Sequence, residues 1–169
     1  DRESYRKKIV PEEIEKENVI IIPEGGFSKV GVLGLEGLKN ELNEQIKADY
    51  LITAVGTGTT AIGISKFLKI KTIGILTLNN LTEIEKNSQE FDLENLLEIN
   101  TNYIFGKYAK DSQVLKDFCD TFYKKHLILI EPTYTGRMFY GLYDMIKKKA
   151  FPEGSTILAI HTGGIKLPN

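Results

Sequence analysis

Cysteine, histidine, net charge and long apolar runs are all scarce in this 169-residue sequence. A single cysteine, Cys119, rules out a disulfide framework. The only histidines, His126 and His161, lie far apart and neither stands at helical spacing from a second ligand, so no zinc-type metal site is expected. Lys plus Arg total 22 against 23 Asp plus Glu, a formal net charge of -1. That balance removes the sequence-wide field that would draw the chain onto nucleic acid or an anionic membrane, and any anion must be held locally. Apolar runs such as Val19-Ile20-Ile21-Ile22 fall far short of the ~20 residues of a bilayer span. Asp1-Arg2-Glu3-Ser4 opens no apolar stretch of the signal-peptide kind, so the expected compartment is the cytoplasm.

A hydrophobic share of 41% and a charged share of 27% are those of a globular chain able to bury a core. Val19–Ile22 reads as a buried strand running into the turn Pro23-Glu24-Gly25-Gly26. From Val30 to Ile46, Leu35, Leu38, Leu42 and Ile46 recur at helical spacing, with Gly31, Gly34 and Gly37 as a ridge for close backbone approach. Strands are predicted at Tyr50–Val55, Lys71–Leu78, Ile128–Ile130 and Thr156–Ile160, and helices at Ala61–Leu68, Ser112–Lys125 and Arg137–Lys149. The stretch Asn79–Asn100 reads as helix with loop. Alternating strand and helix signals predict an α/β domain on a mostly parallel sheet with flanking helices, with ligands at the carboxyl edge of its strands.

Gly56-Thr57-Gly58-Thr59-Thr60 is the most informative local feature, lying between a β-branched strand and an apolar helix. Glycines let a turn pass close to a ligand, and the first amides of the following helix are unpaired donors at its positive end. The threonine hydroxyls add donors, so a phosphate fits without Lys or Arg. The plainer alternative is a tight connection with a threonine cap. Gly56-x-Gly58-x-x-Ala61 also matches the relaxed dinucleotide pattern, but the next strand ends Leu76-Thr77-Leu78-Asn79 without the ribose-binding carboxylate. No Lys follows in Walker fashion, which leaves a smaller phosphate-bearing cofactor. Glu131-Pro132-Thr133-Tyr134-Thr135-Gly136-Arg137 is a turn opening a helix, in which Thr135 can cap. Tyr134 gains acid–base use only beside a cation or hydrogen bond that favours its phenolate. His161 reads as a hydrogen-bonded structural residue, and Cys119, on the apolar stripe of its helix, as core.

The run from Glu131 to Met138, with Phe151-Pro152-Glu153-Gly154-Ser155, His161-Thr162-Gly163-Gly164, Ile22-Pro23-Glu24-Gly25-Gly26 and Arg2-Glu3-Ser4-Tyr5-Arg6, resembles the 1-aminocyclopropane-1-carboxylate deaminase and D-cysteine desulfhydrase family. The resemblance implies a tryptophan synthase β-like fold and pyridoxal 5'-phosphate as cofactor. It also implies a homodimer acting on a small amino acid. By it, Thr57, Gly58, Thr59 and Thr60 hold the cofactor phosphate, Tyr134 and Tyr108 flank the substrate, and Thr135 faces the pyridine nitrogen. Deaminases of the family carry Glu at the position of Thr135 and the desulfhydrase-like branch carries Thr. The resemblance therefore points to β-elimination from a D-cysteine-like substrate, with the deaminase and a non-catalytic phosphate-ligand domain as alternatives. The family's Gly-Asn-Lys and Ser-Asn-His motifs do not occur in the sequence. Residues 1–169 are thus expected to be the C-terminal portion of such an enzyme, mainly its cofactor-binding domain. Without the part that carries the Schiff-base lysine, this portion is expected to be inactive alone.

Overall fold

A computed structural model describes residues 22–93, 95–105 and 112–163. Four strands, β1 (Tyr50–Val55), β2 (Lys71–Leu76), β3 (Leu97–Asn100) and β4 (Ile157–Ile160), form a parallel sheet in the order β3-β2-β1-β4. β1 and β2 are central, and Leu51–Val55 and Thr72–Leu76 are buried along their whole length, as strands covered on both faces must be.

Side-chain alternation along these strands sorts the core into two layers. Ile52, Ala54, Ile73 and Ile75 point to one face and meet Met138, Leu142 and Met145 of helix α6 (Thr135–Lys147). Val55 and Leu76 point to the other, against Ala61 of α3 (Thr59–Leu68) and Ile84 of α4 (Leu81–Gln89). Each fully buried Ile in these layers stabilises the fold by about 1.5–3 kcal/mol relative to exposure. Helix α5 (Gln113–His126) packs outside α6 through Cys119 and Phe122 against Phe139. None of the helices among the described residues is long and apolar enough to cross a membrane.

Three expectations need correction. The single helix over Val30–Ile46 is two, α1 (Lys29–Leu33) and α2 (Gly37–Gln45), separated by Gly34-Leu35-Glu36. Glycine at every third position lowers helix propensity, and the chain bends so that Leu35 lies against Gly63. Of the proposed glycine ridge only Gly31 is tight, where an added Cβ would strike the Gly26 carbonyl. Ile128–Ile130 is not a strand. Leu127 and Ile128 are exposed, and the Leu129 carbonyl is bonded by His161 instead of a ladder. The loop expected before Asn100 contains the edge strand β3, paired with β2 from Thr72↔Leu97 to Ile75↔Asn100. The run predicted at Val19–Ile22 lies outside the described residues except for Ile22, which is exposed.

Candidate functional site

The carboxyl ends of β1 and β2 face the amino end of α6, and this crevice brings the Thr57–Thr60 loop together with Tyr134 and Thr135. β1 runs into Gly56-Thr57-Gly58, and Gly58 is buried in the left-handed region at φ 95° as the N-cap of α3. An added Cβ at Gly58 would press on Ile84 at 2.9 Å, so the turn requires glycine sterically as well as conformationally. The first intrahelical bond of α3 is from the Ile62 N–H to the Gly58 carbonyl, 2.9 Å. The amides of Thr59, Thr60 and Ala61 precede it and point out of the helix end, a cradle for a phosphate.

The hydroxyls of Thr57 and Thr59 have a different use from the one expected. Thr59 Oγ1 donates to the Gly25 carbonyl at 2.9 Å, and Thr57 Oγ1 donates to the same oxygen at 3.4 Å. A hydroxyl has one proton to give, so these two fasten the Pro23–Gly26 turn onto the loop, and the cradle's donors are mainly amides. Asn80, just before α4, donates Nδ2 to the Gly56 carbonyl at 3.0 Å and holds the loop from the β2 side. Its Oδ1 is buried without a hydrogen-bond partner.

Tyr134 stands across the crevice, its ring 3.2 Å from where a Gly56 Cβ would be. The capping of its helix is not by Thr135, as expected, but by Glu131. Glu131 Oε2 accepts from the Thr133 N–H at 2.6 Å, and Oε1 accepts from the amides of Tyr134 and Thr135 at 2.7 and 2.9 Å. Thr135 Oγ1 in turn accepts the Glu131 N–H at 3.0 Å and donates to Glu131 Oε1 at 3.4 Å. A carboxylate reaches three amides where the shorter threonine hydroxyl reaches one, so Glu131, three residues ahead of the N-cap residue Tyr134, serves the amides at the helix start. Thr135 becomes the first helical residue and is fully buried.

Arg137 is also buried. Its Nη1 donates to the Thr77 carbonyl at 2.8 Å and its Nε has no hydrogen-bond partner. Burial holds the guanidinium below its usual range, while the charges of Glu131 and Tyr134 oppose that shift. His161 is structural as expected. The Gly163 N–H donates to its Nδ1 at 3.1 Å, which leaves the Nε2 proton for the Leu129 carbonyl at 2.7 Å. Cys119 is core, its thiol pushed up to about 12 by burial and then by the Glu131 charge. Tyr108 lies outside the described residues. A cavity of about 500 Å³ bounded by Ile146, Phe151, Pro152 and Ile157 opens at the amino edge of the sheet, away from this crevice.

A family model described as pyridoxal-phosphate dependent enzyme matches residues 2–163. The chain belongs to that family. Pyridoxal 5'-phosphate is the family's cofactor. A putative 1-aminocyclopropane-1-carboxylate deaminase of Pyrococcus furiosus is 34% identical over 190 residues, covering 97% of this chain and 57% of that protein. A 1-aminocyclopropane-1-carboxylate deaminase of Bradyrhizobium is 28% identical over 167 residues, covering 85% of this chain and 49% of its own length. The crystal structure of an ACC deaminase homologue superposes with a TM-score of 0.78 at 30% identity, over 96% of this chain and 55% of that one. The chain thus spans about half the length of the relatives it matches.

The residues present suit the family's cofactor at its phosphate end, where left-handed Gly58, at which a Cβ would strike Ile84, opens α3 with unpaired amides. Glu131, Asn80, Gly25 and Arg137 went unassigned in the sequence. Glu131 carried a signal, an acidic residue just ahead of a helix. Asn80 reads locally as a helix cap, yet its side chain bonds across to another loop.

Proposed function

We propose that this crevice holds the phosphate and ring of pyridoxal 5'-phosphate in an enzyme that breaks down a small amino acid by β-elimination, with a D-cysteine-like substrate. The observation that carries the reading is the meeting of the amide cradle at Thr59–Ala61 with Tyr134 and Thr135 across a single sheet edge. When bound, the cofactor supplies the sink for electrons developing at the substrate's α-carbon. The amides of Thr59, Thr60 and Ala61 bind phosphate oxygens. Tyr134, held against Gly56 and within the field of buried Arg137, holds or moves a proton at its phenolic oxygen. Tyr108 is the second tyrosine assigned to the substrate.

Thr135 supports elimination over ring opening. Its Oγ1 accepts the Glu131 N–H and donates its one proton to Glu131 Oε1 at 3.4 Å, a long bond that the hydroxyl must exchange to donate to a ring nitrogen. A neutral partner leaves that nitrogen largely unprotonated, and a weaker sink suits a reaction in which charge arriving at the α-carbon leaves at once with the β-substituent. Loss of the thiol and hydrolysis give pyruvate, ammonia and sulfide. The test is sulfide and pyruvate release from D-cysteine by the full-length protein. The second reading, 1-aminocyclopropane-1-carboxylate deamination, is favoured by the names of the relatives. Ammonia from that substrate, with no sulfide from D-cysteine, would replace the first reading by the second.

None of the chain's lysines is assigned the covalent role. Lys66 Nζ, the lysine of α3, sits 5.3 Å from the Phe91 ring centroid, on a contact away from the crevice. The chain alone is therefore expected to bind the cofactor without turning over substrate. Borohydride reduction of the chain with pyridoxal 5'-phosphate should give no stoichiometric adduct at a single lysine, and such an adduct would refute this assignment.

A further inference from the structure

The two ends of the crevice are referred to one shared segment, the exit of β2. On the phosphate side, the Thr77 N–H and Oγ1 both donate to the Val55 carbonyl, at 3.0 and 2.9 Å, and Asn80 Nδ2 donates to the Gly56 carbonyl at 3.0 Å. These bonds set where the loop leaves β1. On the ring side, Arg137 Nη1 donates to the Thr77 carbonyl at 2.8 Å, two residues beyond Thr135 and three beyond Tyr134.

Arg137 is an expensive residue for that place. It is 1% exposed, a guanidinium has five donors, and its Nε has no partner. Removing a charge from water with incomplete hydrogen bonding is costly, and a well-packed apolar residue of similar volume is commonly as stable or more so. A core role alone gives no reason for arginine. A rigid donor that reaches from a helix end to a strand exit does.

We propose that Arg137 is a positioning residue that sets the length of the site, holding Tyr134 and Thr135 at a defined separation from the Gly56–Thr60 loop through the Thr77 carbonyl. This rests on the reading that the loop takes the phosphate and α6 the ring. Inorganic phosphate needs only the loop, whereas pyridoxine 5'-phosphate, which has no aldehyde to react with lysines, must span both ends. The ratio of the two affinities therefore reports the strut and is insensitive to a general loosening of the fold.

Calorimetric titration of the chain and its variants with both ligands tests this. Arg137→Met should leave phosphate affinity within about twofold and weaken pyridoxine 5'-phosphate roughly tenfold or more, the usual weight of one charge-assisted hydrogen bond. Arg137→Lys, with a single donor head on a shorter stem, should fall between the two. Asn80→Ala should weaken both ligands together. Equal losses for both ligands in Arg137→Met, or no loss for either, would overturn the proposal. If Arg137→Met does not fold, Arg137→Lys decides, with a fall in the ratio of roughly threefold or more expected and an unchanged ratio overturning it. A parent chain that binds neither ligand overturns both the strut and the phosphate-cradle reading, whereas parent binding with an unchanged ratio overturns the strut alone.

Discussion

Removing the Glu131 carboxylate should loosen the amino end of α6 more than removing an ordinary helix cap. Three amides converge on it at 2.6, 2.7 and 2.9 Å, and its own N–H is returned to Thr135 Oγ1. A single cap contributes about 0.5–2 kcal/mol. A carboxylate at the positive end of a helix dipole adds roughly 0.3–1 kcal/mol. Because the three bonds share one side chain, they do not sum as three independent ones, and Glu131→Ala should cost about 2–3 kcal/mol. For a chain of 169 residues that lowers Tm by roughly 4–12 °C. Glu131→Gln keeps one carbonyl acceptor but turns an NH2 toward an amide donor and loses the charge, so about 1–2 kcal/mol is expected. Urea unfolding at constant pH and ionic strength, followed by far-ultraviolet circular dichroism, measures both variants. A loss below about 0.5 kcal/mol in Glu131→Ala would show that these amides are as well served by water and would refute the capping assignment.

Alkaline lability should come from two buried acids. Cys119 is raised from 9.0 to about 12 by burial and nearby carboxylates, and Tyr103 from 10.0 to about 12 by burial and its bond to Asp144. Above pH 9 the unfolded chain loses the Cys119 proton while the folded chain keeps it, and above pH 10 the same holds for Tyr103. The unfolded state then binds fewer protons, so stability is intact below pH 9 and declines toward pH 12. Cys119→Ala should remove the decline between pH 9 and 10, and an unchanged slope in urea midpoints across that interval would count against it. Iodoacetamide should label Cys119 at pH 8 only after unfolding. Gly136→Ala should destabilise by about 1–3 kcal/mol, because the new Cβ would lie 2.7 Å from both the Glu131 carbonyl and the Cys119 sulfur. Wild-type stability of that variant in thermal unfolding would contradict the packing described. Thr135→Glu should bring a second carboxylate beside Glu131 in a buried place, lower Tm, and make the fold take up a proton near neutral pH. A potentiometric titration showing no uptake would mean that the new side chain turns elsewhere.

The central strands and the loop between β1 and α3 were legible because their signals are local. A β-branched or apolar run covered on both faces reads as a strand wherever it stands, as Tyr50–Val55 and Lys71–Leu76 do. The left-handed turn into α3 was legible for a similar reason, since Gly58 and the first turn of the helix are contiguous in sequence. β3 was not, because Leu97-Glu98-Ile99-Asn100 is only partly buried at the sheet edge and carries too little apolar pattern to be recognised. The break in the first long helix was missed because its apolar spacing continues through the glycines that interrupt it.

By itself, the sequence determined the α/β class, the glycine and threonine loop between β1 and α3 and the family to which the chain belongs, all properties of short contiguous motifs. Tertiary structure decided how those motifs work together. The hydroxyls of Thr57 and Thr59 are committed to Gly25, more than thirty residues away. Glu131, not Thr135, caps α6. Arg137 reaches sixty residues back to the carbonyl of Thr77. A hydroxyl's single proton and a guanidinium's reach are spent on whichever partner the fold brings within about 3 Å, and no local pattern specifies that partner.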